Sequence, residues 1–296
     1  MKKDIKIGFI GGDMRQIFCA VELAKQGFEV ALYGFDKINP DIGLCTRCDS
    51  LQDALELAEI VVLPLPVTQD GISVSTPLTD KCIMLCDIVS LAKDCKLLLY
   101  GGACCKLEQL AKKEGIALYD YYKREDYKVL NAEPTAEGAI AIAINEMPRT
   151  LYGSKCLCLG YGRIGKVLCK MLLSMGAEVY ASARKSEDIA WAELQGCKAI
   201  NTENISQVIP ECDLIINTIP KIILKDELLD LIKKDALIID LASKPGGIDF
   251  KPAKQRGLNV IWALSIPGKT SPVSAGKILC DTILRIMNEN EDTLKN

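Results

Sequence analysis

Short apolar runs separated by glycine turns and amphipathic stretches set the plan of this chain. Lys6–Ile10 reads as a strand, Gly11-Gly12-Asp13 as a turn and 15–26 as a helix closed by Gly27, with Glu29–Tyr33 as the next strand. Further strands are predicted at 60–63, Leu97–Tyr100 and Ala117–Asp120, with helices near 51–58 and 104–114 between them. The same order returns at 156–181, and strands follow at Leu214–Asn217, 236–241 and 258–262. Strands that alternate with helices imply parallel sheets. The expected fold is α/β: two doubly wound Rossmann-like domains with parallel sheets, joined by a buried connector helix.

The boundary is expected near 132, with 1–132 as a substrate or catalytic domain and 133–296 as the coenzyme domain. Pro134-Thr135 opens the connector helix, about 135–147, and Pro148 stops it. It carries little charge beyond Glu137 and Glu146, so burial between the domains is expected. A last helix, 274–288, ends the fold, and its return onto the first domain stays open. The polar tail 289–296 is expected to fray.

One turn carries more chemistry than the rest. Gly160-Tyr161-Gly162-Arg163-Ile164-Gly165 follows a strand and precedes an apolar stripe (Val167, Leu168, Met171, Leu172, Met175) that stops at Gly176. Strand, G-x-G-x-x-G, helix is the dinucleotide fingerprint in its proper setting. The first glycine permits the turn, the second lets backbone approach a pyrophosphate, and the third lets helix pack on strand. The helix N-terminus then faces the phosphates. The corresponding N-terminal turn has Gly8, Gly11 and Gly12 but lacks that spacing, so the first domain has lost, or never had, this site.

The strand after the fingerprint bears on the choice of nucleotide. An NAD enzyme usually carries Asp or Glu about 20 residues on, to accept from the ribose hydroxyls. Here Ser182, Arg184, Lys185 and Ser186 come before any acid, and two cations with two hydroxyls suit a 2′-phosphate. The reading favours NADP. The other strand ends predict the cleft lining: Asn217, Thr218 and Pro220, then Ala242 and Ser243 leading to Gly246-Gly247, then 263–269, and in the first domain Gly11 to Arg15, 64–66, Ser75-Thr76 and Gly101-Gly102.

Composition narrows the classes. The chain has 296 residues, 49% hydrophobic, enough for two cores. A net charge of -3 argues against nucleic acid and membrane surfaces as partners. No apolar run nears the roughly 18 residues of a membrane span, and Met1 to Asp4 lead into a strand instead of a signal sequence. Most of the 14 cysteines sit in apolar strands and helices, as expected of buried thiols in a reducing cytoplasm. Cys45-Thr46-Arg47-Cys48 has ligand spacing, but no second pair repeats it, so no metal is expected. With 0 histidines, proton transfer falls to a carboxylate, lysine, tyrosine or water. The run from Ala263 to Gly268-Lys269-Thr270 fits a loose P-loop, yet Pro267 and Pro272 flank the lysine and only one helix follows. Lys269 is read instead as a cation facing an anionic substrate or the nicotinamide ribose.

Four segments together are narrower than any one motif: KIGFIGGDMRQ at 6–16, NAEPTAEGAIAI at 131–142, CLGYGRIG at 158–165 and LSIPGKTSP at 264–272. Over nearly the whole chain they resemble the A subunit of dipicolinate synthase. The resemblance implies NADP-dependent oxidation of dihydrodipicolinate to pyridine-2,6-dicarboxylate in the mother-cell cytoplasm of a sporulating bacterium. It also implies the flavoprotein-like B subunit of dipicolinate synthase as partner; a homo-oligomer is expected as well. Aromatisation supplies driving force, so a strong base is less needed. Arg15 and Lys269, from opposite walls of the cleft, are then candidates for the small dicarboxylate substrate, and Asp13 or Glu137 for the proton. Two other readings stay open: an NADP-binding regulatory or scaffold subunit, and an alanine-dehydrogenase-like or 2-hydroxyacid oxidoreductase.

Overall fold

Each apolar run becomes a strand of one of two parallel sheets. The computed structural model describes residues 5–38, 41–56, 58–92, 94–290 and 294; the leading Met1 to Asp4 and most of the tail after Asn290 lie outside them, as does Leu57 of the helix expected at 51–58. The chain forms two compact units, 1–130 with 271–296 and 131–270.

The first unit runs β1 (Lys6–Ile10), α1 (Met14–Lys25), β2 (Glu29–Tyr33), β3 (Thr46–Arg47), α2 (Leu51–Leu55), β4 (Ile60–Val62), α3 (Leu85–Leu91), β5 (Leu97–Tyr100), α4 (Cys105–Glu114), β6 (Ala117–Asp120) and α5 (Glu125–Leu130). The second begins with α6 (Ala132–Glu146), then β7 (Lys155–Leu159), α7 (Arg163–Ser174), β8 (Glu178–Ala183), α8 (Ser186–Leu194), β9 (Lys198–Asn201), β10 (Leu214–Asn217), α9 (Asp226–Asp230), β11 (Leu237–Asp240), α10 (Phe250–Gln255), β12 (Asn259–Trp262) and α11 (Ile266–Thr270). A last helix, α12 (Pro272–Glu289), belongs to the first unit.

The sheet orders are β3-β2-β1-β4-β5-β6 and β12-β11-β10-β7-β8-β9, the same doubly wound arrangement twice. Each reverses direction between its first and fourth strands, where such sheets bind ligands. Both faces of each sheet are covered, which is why the strands read as unbroken apolar runs. On β7 the alternation is visible: Cys156 and Cys158 join one core cluster, Leu157 and Leu159 the other.

Two helix starts and two edge strands differ from expectation for simple reasons. α7 starts at Arg163, not after the glycine motif, because Gly162 itself is the extended N-cap. α6 starts two residues before Pro134; a missing N–H is harmless in the first turn, where it has no intrahelical acceptor. β3 and β9 are sheet edges with exposed or half-exposed side chains, so hydrophobicity gives them no signal.

α12 packs along α1. Leu279, Cys280, Ile283, Ile286 and Met287 join Ile17, Cys19, Ala20 and Leu23 in one core cluster. At the crossing, a Cβ on Gly276 would lie 2.7 Å from Phe18 Cβ, 2.9 Å from Arg15 O and 3.0 Å from Cys19 N. The expected fraying does not extend to Leu294, which is 8% exposed and whose carbonyl accepts from Lys96 Nζ at 2.9 Å.

In the second unit, Asp213 ties three elements at the amino edge of the sheet. Its carboxylate accepts from Lys155 N (3.0 Å), Arg149 Nη1 (2.8 Å) and Lys233 Nζ (3.0 Å). Burial alone would raise the Asp213 carboxyl, but the Lys155 N–H and the Lys233 and Arg149 charges overcome it and hold the pKa low. A depressed carboxylate stabilises the fold above its unfolded pKa of about 4 and loses that contribution as pH falls through its folded value. Asp213→Asn is therefore expected to cost about 1–2 kcal/mol at pH 7, with the gap from wild type narrowing below about pH 4. Urea melts at pH 7 and pH 3.5 check this; a pH-independent gap would refute it.

Candidate functional site

At the carboxyl edge of the second sheet, neighbouring strands place Ser182, Leu159, Asn217, Asp240 and Trp262 in one register row. The glycine turn rises from the middle of that row. Gly160 takes a positive φ of 95°, and its N–H donates to Ser182 O at 3.2 Å. A Cβ there would strike Thr218 Oγ1 at 2.6 Å, so only glycine fits. Thr218 in turn donates to Leu159 O at 2.9 Å and braces the turn from behind. A Cβ on Gly165 would lie 2.0 Å from Gly160 O, which is the close helix–strand packing the third glycine permits.

Gly162 differs. Its φ of -82° and ψ of -157° suit any residue, and a Cβ would meet no atom within 4 Å. The fold does not need a glycine there. A pyrophosphate drawn onto the N-terminus of α7 does, because it needs the backbone N–H groups uncovered. The residues thus fit a dinucleotide, with Arg163 at the first position of that helix.

The candidate side chains divide into two groups. Arg184, Lys185 and Ser243 are exposed, as is Pro220; Lys185 Nζ lies 3.2 Å from Glu187. Ser182, Asn217 and Ala242 are buried. The Ser182 hydroxyl sits behind Gly160 N (3.3 Å) and near Thr202 Oγ1 (3.4 Å), so it supports the turn instead of facing a ribose. Tyr161 is also buried, its hydroxyl donating to Gln195 Oε1 at 2.7 Å, and burial pushes its pKa up to about 12. It anchors the turn to α8, and only its backbone stays with the glycines. Ile164 packs half-buried against the core.

In the first unit the equivalent turn is closed. Gly11 (φ 66°) and Gly12 (φ 108°) lead to Asp13, which caps α1. Asp13 Oδ1 accepts from Arg15 N at 3.0 Å, and the Gln16 side chain accepts from Asp13 N at 3.0 Å. A carboxylate already fills the helix N-terminus, and a Cβ on Gly11 would lie 2.7 Å from Thr76 Cγ2.

Asp13 and Arg15 are brought together, but not as independent groups. Arg15 is 4% exposed; its Nε and Nη2 bond the Asp13 carboxylate at 2.9 and 2.8 Å, and Nη2 also donates to Leu65 O at 2.7 Å. Burial by itself would lower the guanidinium pKa, but the Asp13 hydrogen bond and charge raise it. The pair is a clamp between the β1 turn and the end of β4. Nearby, burial pushes Tyr127 to about 12 and Tyr121 well above the usual phenol value, so neither takes a proton near neutrality.

Glu137 and Lys269 are exposed in the second unit, on α6 and α11. These helices meet where a Gly138 Cβ would fall 2.1 Å from Ile266 Cγ2. The loose P-loop run closes into the five-residue α11, with Thr270 Oγ1 donating to Ile266 O at 3.0 Å. Cys45 and Cys48 flank the edge strand β3, and among the described residues no group of three or more His, Cys, Asp or Glu could hold a metal. No helix among them is long and apolar enough to cross a membrane.

Sequence reasoning passed over Asp240 and Trp262. Asp240 is wholly buried and accepts from Asn217 Nδ2 (2.7 Å), Ala242 N (3.1 Å) and Gly247 N (2.8 Å). Trp262 Nε1 donates to Ala242 O at 2.9 Å, and its ring stacks on Phe250 at 4.8 Å. The signal was there: a single acid ending the apolar run Ala236 to Ile239.

The turn, helix and sheet order define the second unit as a nicotinamide-dinucleotide-binding domain of the dehydrogenase type. Residues 132–244 match the NAD-binding domain of D-isomer-specific 2-hydroxyacid dehydrogenases, and residues 6–122 match the N-terminal domain of the dipicolinate synthase A subunit. The chain is 30% identical to the A subunit of dipicolinate synthase from Bacillus subtilis (strain 168), over 98% of both sequences. It belongs to the family of dipicolinate synthase A subunits. Crystal structures of that subunit from Bacillus halodurans (28% identity, 97% of this chain and 98% of that one) and Bacillus subtilis (31%, 99% and 98%) both match with a TM-score of 0.84. A transhydrogenase from Sinorhizobium meliloti, 17% identical with a TM-score of 0.70 over 97% and 93% of the chains, shares the fold.

Proposed function

We propose that this chain oxidises dihydrodipicolinate to dipicolinate with NADP, acting with a flavoprotein-like second subunit. The observation that carries the coenzyme choice is the end of β8. Ala183 stands where strand gives way to turn, Arg184 and Lys185 follow on the surface, and the first carboxylate after the strand is Glu187. Two cations there attract a 2′-phosphate, Arg184 as well as Lys185, the latter beside Glu187. Membership of the dipicolinate synthase A family supports dihydrodipicolinate as the substrate.

The reaction balances on the coenzyme alone. A ring C–H bond of the dihydropyridine breaks, its hydride passes to the nicotinamide, a proton leaves, and NADPH and the aromatic pyridine result. Bound NADP would supply the hydride acceptor; the protein's share is placement, charge and proton acceptance. The Arg15 clamp fixes the Gly11-Gly12 turn and the Leu65 carbonyl, so its guanidinium is already engaged. Lys269 and Glu137, exposed in the second unit, are the groups proposed to meet a substrate carboxylate and the leaving proton.

The test is dipicolinate formation, followed by its ultraviolet absorbance, from the purified chain with and without the second subunit. Arg184→Ala should raise the NADP KM about tenfold, the loss of one charged hydrogen bond, and leave that for NAD within about twofold. Equal use of NAD and NADP by the wild type would defeat the coenzyme assignment. Absence of any dipicolinate in both assays would defeat the reaction.

A further inference from the structure

The loop after β11 is held to the sheet edge by one buried side chain. Asp240 carries a carboxylate at 0% exposure. Burying a carboxylate costs several kcal/mol unless a cation or hydrogen bonds replace its water. Three neutral N–H groups do so here, one from the Asn217 side chain and two from the loop, Ala242 and Gly247. The two loop donors stand at opposite ends of the exposed tip, Ser243 to Pro245. The carboxylate therefore staples both feet of that tip to the sheet edge.

The surroundings are shaped around this staple. A Cβ on Gly246 would lie 2.7 Å from Asp240 Oδ2, and one on Gly247 would lie 2.0 Å from Asn217 Nδ2. The loop backbone thus lies flat on the Asn217–Asp240 pair. Asn217 is fixed in turn by donating to Ile219 O at 3.0 Å and accepting from Ile219 N at 3.2 Å. Trp262 holds the first foot by donating to Ala242 O at 2.9 Å. Asn217 is the direct neighbour of both Asp240 and Leu159, from which the glycine turn rises, so a single strand, β10, separates the stapled loop from that turn.

We infer that Asp240 is a positioning residue, whose buried carboxylate sets the 241–247 loop as the wall beside the nicotinamide half of the coenzyme. This rests on the dinucleotide reading of the second unit. A carboxylate is needed because all three partners are N–H donors and both its oxygens only accept. An amide of the same shape must turn its NH2 toward at least one donor, which releases one foot of the tip.

Asp240→Asn is therefore expected to raise the dissociation constants of NADPH and NADH at least tenfold, read by fluorescence titration on the full-length protein. Amide exchange across 241–247 should quicken while that of β7 and β10 stays protected. Asn217→Ala, which removes one donor and leaves the carboxylate, should give an intermediate, severalfold loss, and it carries the test if Asp240→Asn does not fold. A role in stability alone would lower the melting temperature and leave the dissociation constants where they were at a temperature at which both proteins are folded; that result would overturn the inference. So would faster loop exchange without weaker binding. A wild type that binds neither nucleotide would overturn the dinucleotide reading itself, an outcome distinct from a binding wild type with an unaffected Asp240→Asn.

Discussion

Gly162→Val is expected to melt within a few degrees of the wild type and yet bind NADPH at least a hundredfold more weakly. The backbone at Gly162 is extended, a region valine favours, and a Cβ there meets no protein atom within 4 Å. Only the preference for glycine over valine at the N-cap, about 1 kcal/mol, opposes the substitution. A bound pyrophosphate does, since it must approach the N-terminus of α7 to within hydrogen-bond distance of the backbone. Two branched methyl groups in that path hold the phosphates off, and a hundredfold corresponds to about 2.7 kcal/mol, the scale of one or two charged hydrogen bonds lost. Gly165→Val is the contrast: its Cβ would stand 2.0 Å from Gly160 O, so that protein is expected to unfold outright. Calorimetry and NADPH titration on the pair separate the two roles. Binding by Gly162→Val at wild-type strength would mean that no dinucleotide crosses this turn.

The second large effect lies far along the chain. Gly276→Leu is expected to destabilise the first unit by about 3 kcal/mol, measured by urea denaturation. Leucine is a better helix former than glycine by several tenths of a kcal/mol or more, so any loss is steric. Two of the three nearest atoms are backbone, Arg15 O and Cys19 N, and they cannot swing aside. α12 must then lift from α1, uncovering Leu279, Ile283 and Ile286, all at most 1% exposed. Exposing even one costs about 1.5–3 kcal/mol. An unchanged urea midpoint would show that the crossing can relax, and would remove the claim that α12 is integral to this unit.

How much of this was written in the sequence varies with the kind of signal. Runs such as Leu97–Tyr100 and Leu214–Asn217 coincide with their strands to the residue, because a strand covered on both faces is apolar along its length up to its carboxyl end. The glycine turn was legible because three backbone demands recur at fixed spacing. Side-chain direction was not. Ser182, near the end of β8, and Tyr161, in the glycine turn, were read as facing a ligand, but both side chains are buried. Arg15 looked like a ligand for an anion, and its anion is two residues away. Asp240 was hidden by the opposite error, since a charged residue at a strand end reads as exposed until its three donors are seen. The place of α12 depends on which unit offers an apolar groove, and helical periodicity alone cannot name the partner.

That helix also sets the order in which the molecule can be finished. A ribosome that has delivered residue 270 has delivered every residue of the coenzyme-binding unit, whereas the unit begun first still lacks the segment that covers α1. The unit whose synthesis starts earliest is thus the last to close, and until then the apolar flank of its first helix stays open to chaperones and to other nascent chains.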